Sequence, residues 1–447
     1  MGINMIIRNV RIIDPASKTD MIGNIRIEGK KISRIEPAPK ETSAQKQDEA
    51  VGGLTEDAAG EEIDGTGLIA VPGLVDAHVH FREPGFEYKE DIDTGAAAAA
   101  AGGFTSVVMM ANTRPAIDNP DVLRMVLDRA ALQPIHVYSC ADVTEGLSGR
   151  RLTDMETLRS AGAVGFTDDG IPLLDAGLVS RAMETAARLN VPLSFHEEDP
   201  AFIANNGVNA GKASAYYGIQ GSPREAEISL IRRDLRIAGS LAEQGPDSCP
   251  DIVIQHISTA EGVEMVRQAR RVNPRVHAEA TPHHFSLTEE AVISHGTMAK
   301  MNPPLRTEDD RRAIMEGLRD GTIEMIATDH APHSAEEKAK SVTDAPSGII
   351  GLETSLALGI TNLVGPGCLT LMELIERMTV GPATVYGLNA GELKAGGPAD
   401  VTLIDPDEEW VVPDKFASKS ANTPFIGDEL TGRVVMTICD GRIVHKK

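Results

Sequence analysis

The sequence predicts an α/β protein in which a closed (β/α)8 barrel is joined to a small β domain. Between residues 71 and 385, eight apolar strand candidates alternate with helical stretches, a pattern typical of a closed parallel sheet. Short alternating strands precede this region, and strands of the same style follow it. A doubly wound open sheet is the weaker alternative, because no glycine-rich phosphate loop follows the first barrel strand.

The first 70 residues are predicted to form the N-terminal part of the small domain. Apolar residues alternate along three short segments, 5–13, 24–28 and 32–35. This alternation indicates antiparallel strands. The segment 37–62 is polar and rich in Ala and Gly, so we interpret it as a flexible insertion. β character returns in residues 386–447, and the two termini are therefore expected to share one β-sandwich.

The central region carries the predicted barrel strands. Their carboxyl ends lie near His80, Asn112, Cys140, Asp169, His196, His256, residues 280–284 and Asp329. Apolar residues recur at helical spacing between the strands, as in residues 178–189. The Ala- and Gly-rich stretch 95–111 is expected to be a packed helix, a turn and a strand rather than a membrane span.

His78 and His80 close the first apolar run of the barrel. Residues two apart in a strand point to the same side, so both imidazoles face one point in space. Imidazole is a common ligand of zinc-like metals. Taken alone, the pair fits a metal site and two ordinary strand-end histidines about equally well.

The other strand ends favour the metal site, because the carboxyl ends of all barrel strands meet at one mouth. Four imidazoles and two carboxylates are expected there: His78, His80, Asp169, His196, His256 and Asp329. This set suffices for two zinc-like ions with open coordination positions. His136 and His277 lie at strand starts and are excluded. His283 and His284 lie near the mouth, where one of them is expected to orient a ligand or simply to pack.

Composition excludes several classes of protein. The formal net charge of -23 argues against nucleic acid or an anionic membrane as the main partner, and an anionic substrate would need a local positive site. The four cysteines lie far apart without a C-x-x-C pattern, which fits a reducing cytoplasm and predicts no thiolate metal site. Neither a signal-peptide pattern nor a membrane-length apolar run is found.

At its motifs the chain resembles the dihydroorotases of the amidohydrolase superfamily, in the class I, aspartate-bridged bacterial and archaeal branch. The matching segments are 78–85 (HVHFREPG), 112–115, 166–170, 256–258, 301–306, 327–333 and 422–425. The resemblance covers nearly the whole chain outside 37–62. It implies a TIM-like barrel of the metal-dependent hydrolase type with two divalent metal ions, most simply Zn²⁺.

The resemblance also implies which residues would hold each of the two metal ions. His78, His80 and Asp329 would hold one metal, and His196 and His256 the other. Many relatives bridge the metals with a carbamylated lysine after strand 4, where this chain has Thr-Asp-Asp-Gly. Asp169 is therefore the expected bridge. Asp168 is the alternative, because a slip of one residue reverses the side-chain direction.

The activity implied is dihydroorotase, the reversible closure of N-carbamoyl-L-aspartate to L-dihydroorotate plus water in de novo pyrimidine synthesis. A metal-bridging hydroxide would attack the amide, with Asp329 as general acid and base. The implied substrate contacts are Arg82, Asn112, Asn302, His333, Ser347 and Gly348. Arg82 can bind a carboxylate with two hydrogen bonds; the alternative is an ion pair with Glu83 or Asp93.

Three departures and alternatives stay open at this point. Ala111 and Ser347 stand where the family often has Pro and Phe, and Ser347 would make the pocket more polar. The loop 334–346 is charged, without apolar anchors, and is expected to be a mobile lid. An allantoinase- or hydantoinase-type enzyme, or a non-catalytic partner of aspartate transcarbamoylase, is the alternative function. A homodimer and a complex with aspartate transcarbamoylase are the partners considered.

Overall fold

The computed structural model describes residues 4–38, 60–245 and 247–447. The insertion predicted at 37–62 lies almost entirely outside the described residues. Both ends of the chain enter one eight-stranded mixed sheet. Its strands are β1 (Asn4–Asp14), β2 (Thr19–Glu28), β3 (Lys31–Pro37), β4 (Glu61–Asp64), β5 (Ile69–Pro72), β13 (Val401–Val411), β14 (Glu429–Cys439) and β15 (Arg442–Lys446). The two ends meet where β13 pairs antiparallel with β5.

Seven short parallel strands line the barrel. They are β6 (Leu74–Val79), β7 (Phe104–Met109), β8 (His136–Ser139), β9 (Leu193–Phe195), β10 (Ile252–Ile254), β11 (Val276–Ala280) and β12 (Met325–Ile326). The predicted fourth strand is reduced to Phe166, which forms parallel bridges to Ala141 on one side and Leu193 on the other. A further parallel bridge from Val79 to His330 closes the ring. The predicted barrel with a terminal β-sandwich domain is thus confirmed.

Fourteen α-helices among the described residues cover the barrel and connect its strands. They are α1 (Ile92–Ala101), α2 (Pro120–Ala130), α3 (Met155–Ala161), α4 (Ala176–Leu189), α5 (Lys212–Tyr217), α6 (Glu225–Ala242), α7 (Ala260–Arg270), α8 (Pro282–Ser286), α9 (Glu290–His295), α10 (Glu308–Asp320), α11 (Ala335–Lys338), α12 (Ser355–Gly359), α13 (Leu371–Arg377) and α14 (Val380–Val385). In the described part of the chain, no helix has the length and apolar character to cross a membrane.

The Ala-rich stretch forms the predicted helix, turn and strand, as α1 and β7. Asp91 caps α1 by accepting a hydrogen bond from the backbone N–H of Thr94. Gly95 lies against the ring of Phe81, so closely that an added Cβ would approach Phe81 Cδ1 to 2.3 Å. Because Phe81 lies between His80 and Arg82, this contact fixes the backbone that leads into the barrel mouth.

Candidate active site

Six ligand-type side chains converge at the carboxyl ends of the barrel strands. His78 lies near the end of β6, and the other five follow their strands by one to a few residues: His80, Asp169, His196, His256 and Asp329. All six are buried. The site residues predicted from strand ends therefore lie in one place.

Asp169 is at the centre of this group. Its Oδ1 lies 3.6 Å from His78 Nε2, 3.6 Å from His196 Nδ1 and 3.6 Å from His256 Nε2. Its Oδ2 lies 3.4 Å from His80 Nε2. One carboxylate thus faces four imidazoles from the ends of three strands, which is the arrangement expected of a bridging ligand.

Asp329 approaches the same group from the end of β12. Its Oδ1 lies 3.0 Å from His80 Nε2 and 3.5 Å from His78 Nε2. Burial alone would raise the pKa of Asp329. The hydrogen bond with His80 and the nearby charges of His78 and His256 outweigh burial and hold this pKa below its usual range. Asp329 is therefore ionised at neutral pH.

The donor atoms fit divalent metal ions. Two sets of three have ligand atoms within 4.8 Å of one another: His78 with His80 and Asp329, and His78 with Asp169 and His256. Among the described residues, His78 Nε2 and Asp169 Oδ1 are buried without a hydrogen-bond partner. Leaving such groups unpaired is costly, and a cation between them would satisfy both. Nitrogen and carboxylate oxygen donors suit zinc.

The outward-facing ring nitrogens of the H-x-H pair are held by neighbouring side chains. His78 Nδ1 lies 2.6 Å from Glu279 Oε1, and His80 Nδ1 lies 3.0 Å from Asn112 Oδ1. These contacts turn both Nε2 atoms toward Asp169 and Asp329. Glu279 is missing from the sequence-based prediction. Its signal is a carboxylate inside a buried parallel strand, β11, where a charged residue needs a partner.

Two of the neighbouring residues considered in the sequence do not contact the ligand group. Asp168 is no ligand, because its carboxylate turns away and accepts hydrogen bonds from the backbone N–H groups of Val143 and Thr144, at 2.7 and 3.0 Å. His284 does not orient a ligand; it bonds Thr281 Oγ1 at 2.7 Å and the Pro303 carbonyl at 3.0 Å. It packs beside His283 with ring centroids 4.6 Å apart, and the orienting role of His283 stays a prediction.

A cavity of about 280 Å³ opens above the ligand group. The six residues predicted to contact the substrate all line it: Arg82, Asn112, Asn302, His333, Ser347 and Gly348. Five of the six ligand-type residues line it too, His78 being the deeper exception. The candidate metal centre and the predicted binding residues therefore belong to a single site.

Arg82 is held toward the cavity with its terminal nitrogens uncommitted. Its Nε donates to the Pro332 carbonyl at 3.3 Å, and no partner of its Nη atoms is found among the described residues. The alternative ion pairs do not form, because Glu83 and Asp93 both bind Arg129 instead. A half-buried guanidinium without a carboxylate partner is suited to an anionic ligand.

Three further cavity residues also support the ligands or the cavity wall. Asn112 Nδ2 donates to Asp169 Oδ2 at 3.2 Å, and Asn302 Nδ2 lies 3.1 Å from His196 Nε2. His333 Nε2 donates to the Ser347 carbonyl at 2.8 Å. Burial, with Arg82 and two lysines nearby, lowers the pKa of His333, so its ring is neutral.

Two buried lysines hold the backbone of the cavity wall. Lys300 Nζ donates to the carbonyl of residue 345 at 2.6 Å. Lys338 Nζ donates to the Pro346 and Gly348 carbonyls at 3.0 and 2.9 Å. The loop 334–346 is therefore held by polar contacts: it contains α11, and Lys338 is only 3 % exposed. Its movement as a lid stays a prediction. Ser347 Oγ is buried in this wall without a partner among the described residues.

Family models and known proteins match this chain over nearly its whole length. A family model described as Dihydro-orotase-like matches residues 67–249, and one described as Amidohydrolase family matches residues 229–444. A dihydroorotase of Clostridioides difficile is 49 % identical over 99 % of this chain and 99 % of its own length. The chain belongs to the dihydroorotase family. A dihydroorotase of Streptococcus thermophilus, 48 % identical over 99 % of this chain and all of its own, is a second such relative.

The fold of the chain is also similar to those of solved structures. An L-hydantoinase of Arthrobacter aurescens superposes with a TM-score of 0.84 at 26 % identity, covering 100 % of this chain and 96 % of that one. A dihydropyrimidinase of Brevibacillus agri has a TM-score of 0.81 at 20 % identity, over 99 % and 95 % of the two chains. The second likeness concerns the fold alone.

Proposed function

We propose that this member of the dihydroorotase family catalyses the reversible closure of N-carbamoyl-L-aspartate to L-dihydroorotate and water. The observation that carries the proposal is the position of Arg82 in the same cavity as the ligand group. Its Nε has a backbone partner, but no partner of its Nη atoms is found among the described residues. The substrate carries one carboxylate that reacts and one that does not. Arg82 would bind the second, which fixes the reacting group over the ligands.

The metal ions in this proposal are two divalent cations, zinc being the metal that suits the donors best. His78, His80 and Asp329 would hold one, and His196 and His256 the other, with Asp169 shared. Such ions polarise an amide carbonyl and make water a stronger acid. These two effects are the ones a stable cyclic amide requires for attack by water.

Asp329 is proposed as the proton carrier. Its Oδ1 is engaged with His80, so we assign the transferred proton to Oδ2. The depressed pKa of Asp329 keeps it ionised before attack. It would accept a proton from water and pass it to the departing ring nitrogen. In the synthetic direction Asp329 takes the proton from the attacking carbamoyl nitrogen and delivers it to the departing oxygen.

The remaining cavity residues would position the ring. Asn302 Oδ1 is buried without a partner among the described residues, so it can accept a hydrogen bond from an amide N–H of the substrate. Asn112 and His333 would flank the carboxylate bound by Arg82. The backbone of Ser347 and Gly348, held by Lys338 and His333, would line the ring face.

The proposal is tested by following dihydroorotate hydrolysis and N-carbamoyl-L-aspartate cyclisation spectrophotometrically, before and after chelation. We expect activity on both, lost with chelator and restored by Zn²⁺. Hydantoin and allantoin are the comparison substrates. Preference for either would favour the hydantoinase or allantoinase alternative. Inactivity of the metal-loaded protein on all of them would favour a non-catalytic partner protein, against which the complete ligand set argues.

Location and assembly complete the proposal. We propose the cytoplasm, which the four free cysteines suit, and a homodimer as the assembly. Light scattering of the purified protein tests the dimer. The same measurement after mixing with an aspartate transcarbamoylase tests that association, which two unchanged separate masses would exclude.

A further inference from the structure

A third cluster of ligand-type side chains lies at the opposite end of the barrel from the candidate active site. It consists of His136 at the start of β8, Asp400 just before β13, and Cys439 at the end of β14. Their ligand atoms all lie within 4.8 Å of one another. Among the described residues, the only other clusters that meet this spacing are the two in the candidate active site.

The pairing of the terminal strands brings two of these residues together. Val401 lies opposite Ile438 in the antiparallel β13–β14 ladder, so Asp400 and Cys439 lie opposite each other one step further along. Directly opposed side chains in such a ladder begin about 5 Å apart at Cβ. The backbone N–H of Asp440 donates to Asp400 Oδ1 at 2.8 Å, which leaves Oδ2 facing His136 at 3.1 Å.

The cluster borders a cavity of about 260 Å³ between the start of β8 and the terminal sheet. His136 and Cys439 line this cavity together with Asp440. The His136 side chain is 30 % exposed, whereas Asp400 is 7 % exposed. A small ion can therefore reach the donors from solvent, and the cavity has room for water at a further coordination position.

An ordinary ion pair would account for His136 and Asp400, but not for a thiol that faces the same carboxylate. Cys439 Sγ is hydrogen-bonded to the Thr105 carbonyl at 3.9 Å, a long contact even for sulfur, and it also lies against the Asp400 carboxylate and the backbone of His136. A buried sulfur next to an imidazole and a carboxylate completes a set of nitrogen, oxygen and sulfur donors. This combination is typical of zinc sites rather than of calcium or magnesium sites.

We propose that His136, Asp400 and Cys439 form a metal site for a zinc-like divalent cation, separate from the candidate active site. The metal–sulfur bond forms as the thiol gives its proton to solvent. The bound ion would join the first half of the barrel to the C-terminal strands of the β domain. The proposal does not depend on the reaction proposed above.

Cobalt(II) is the probe that separates this site from the candidate active site. A thiolate bound to Co²⁺ absorbs in the near ultraviolet by charge transfer, and the six ligand-type residues at the barrel mouth include no cysteine. We expect the metal-free protein to develop this band when titrated with Co²⁺. The band should be lost in Cys439→Ser and kept in the matched control Cys368→Ser, whose cysteine lies outside the cluster.

A second variant tests the same site in case Cys439→Ser does not fold. His136→Gln, at a partly exposed position, should keep the circular dichroism of the wild type and weaken the cobalt affinity at this site by about tenfold or more. Zinc analysis should give about one equivalent less in Cys439→Ser than in Cys368→Ser. Absence of the band in the wild type at saturating Co²⁺, or its survival in Cys439→Ser, would overturn the proposal.

Discussion

At the scale of single residues, the candidate active site depends on side chains that are placed by others. Asp169 faces four imidazoles, and two of these are oriented by Glu279 and Asn112. Arg82 lines the same cavity, and the nearby carboxylates of Glu83 and Asp93 pair with Arg129 instead of with Arg82. Removing one side chain therefore affects either metal binding or substrate binding, and the two effects can be measured separately.

Arg82→Ala should lower kcat/KM for dihydroorotate by about 100-fold, the loss expected for a charge-assisted pair of hydrogen bonds of ~3 kcal/mol. Its metal content should stay at the wild-type value, because Arg82 contacts none of the donor atoms at hydrogen-bond distance. Enzyme assays with elemental analysis measure both. Arg124→Ala, on the exposed side of α2, is the control. Wild-type activity in Arg82→Ala would contradict the assignment.

Glu279→Gln should weaken metal binding at His78. An amide is a poorer acceptor for the imidazole N–H than a carboxylate, so His78 becomes a less basic and less well oriented ligand. Loss of such a supporting contact typically costs about 10- to 100-fold in metal affinity. Competition with a chromogenic chelator measures the affinity. Glu289→Gln, at a buried glutamate that accepts a hydrogen bond from the backbone N–H of Ala213 in the first turn of α5, is the control, and equal affinities in the two variants would contradict the role.

At the scale of elements, close packing and buried charge position the two walls of the cavity. Gly95 of α1 brings the helix against Phe81, which fixes the turn between His80 and Arg82. On the other side, Lys300 and Lys338 hold the backbone of residues 345–348. Each wall depends on one feature, a close contact or a buried lysine. Measuring the stability of a variant that lacks the feature tests its role.

Gly95→Ala should destabilise the protein by about 1–3 kcal/mol, because the added methyl group overlaps the buried Phe81 ring. Gly239→Ala in α6 is the matched control. An added Cβ there meets nothing within 4 Å, so alanine should stabilise the helix by about 0.5–1 kcal/mol. Urea unfolding of both variants gives the comparison. Equal stability of the two variants would show that the Phe81 contact is not tight.

Lys338→Met should change how stability depends on pH. Burial lowers the pKa of Lys338 to about 7, and the charge of Lys300 adds to this. Between pH ~7 and ~10.4, the unfolded chain holds a proton that the folded protein lacks, so this lysine makes stability rise with pH. The neutral amine still has the two N–H donors that its carbonyl partners need.

Removal of Lys338 should therefore reduce the slope of the unfolding free energy against pH in that window, by up to ~1.4 kcal/mol per unit. Denaturant unfolding at several pH values measures the slope. The exposed Lys415→Met should leave it unchanged. A slope in Lys338→Met equal to that of the wild type would contradict a buried, largely neutral lysine.

At the scale of the whole molecule, the ligand group stabilises the folded protein only when a bound cation balances its buried charges. Adding Zn²⁺ to the metal-free protein should raise the unfolding temperature, because an ion that binds only the folded state contributes about 2.7 kcal/mol at 100 times its Kd. The measurement is best made in a Cys439→Ser background, because the third cluster then lacks its thiol and does not add to the shift. Adding Asp169→Asn to that background should remove most of the shift, and an undiminished shift would place the ion elsewhere.

Much of this molecule can be predicted from its sequence, because the carboxyl ends of all barrel strands meet at one mouth. Apolar strands that alternate with helical stretches indicated the barrel, and residues at the carboxyl ends of these strands indicated six ligand-type side chains in one place. The fourth strand is shorter than predicted, since only Phe166 pairs with both neighbours. What the sequence could not show was the burial of charged residues. Lys338 and Glu279 look like surface residues by type, and only their tertiary partners explain their positions.

Contacts between residues that lie far apart in the sequence were the second feature that the sequence could not reveal. Cys439 and His136 lie on different domains and far apart in sequence, so their spacing carried no signal, and the absence of a C-x-x-C pattern argued against any thiolate site. Only the pairing of β13 with β14 and the position of β8 bring them together. Cysteine spacing reveals metal sites on one local segment, not those assembled from several strands.

The bridge from Val79 to His330 has a consequence for the order of events during synthesis. His78 and His80 leave the ribosome early, whereas Asp329 belongs to the last barrel strand and lies beside that bridge. The ring cannot close until this strand has emerged, so the nascent chain carries an incomplete set of ligands for most of its growth. A chain truncated before residue 330 should therefore lack the high-affinity metal centre altogether, rather than retain a weaker version of it.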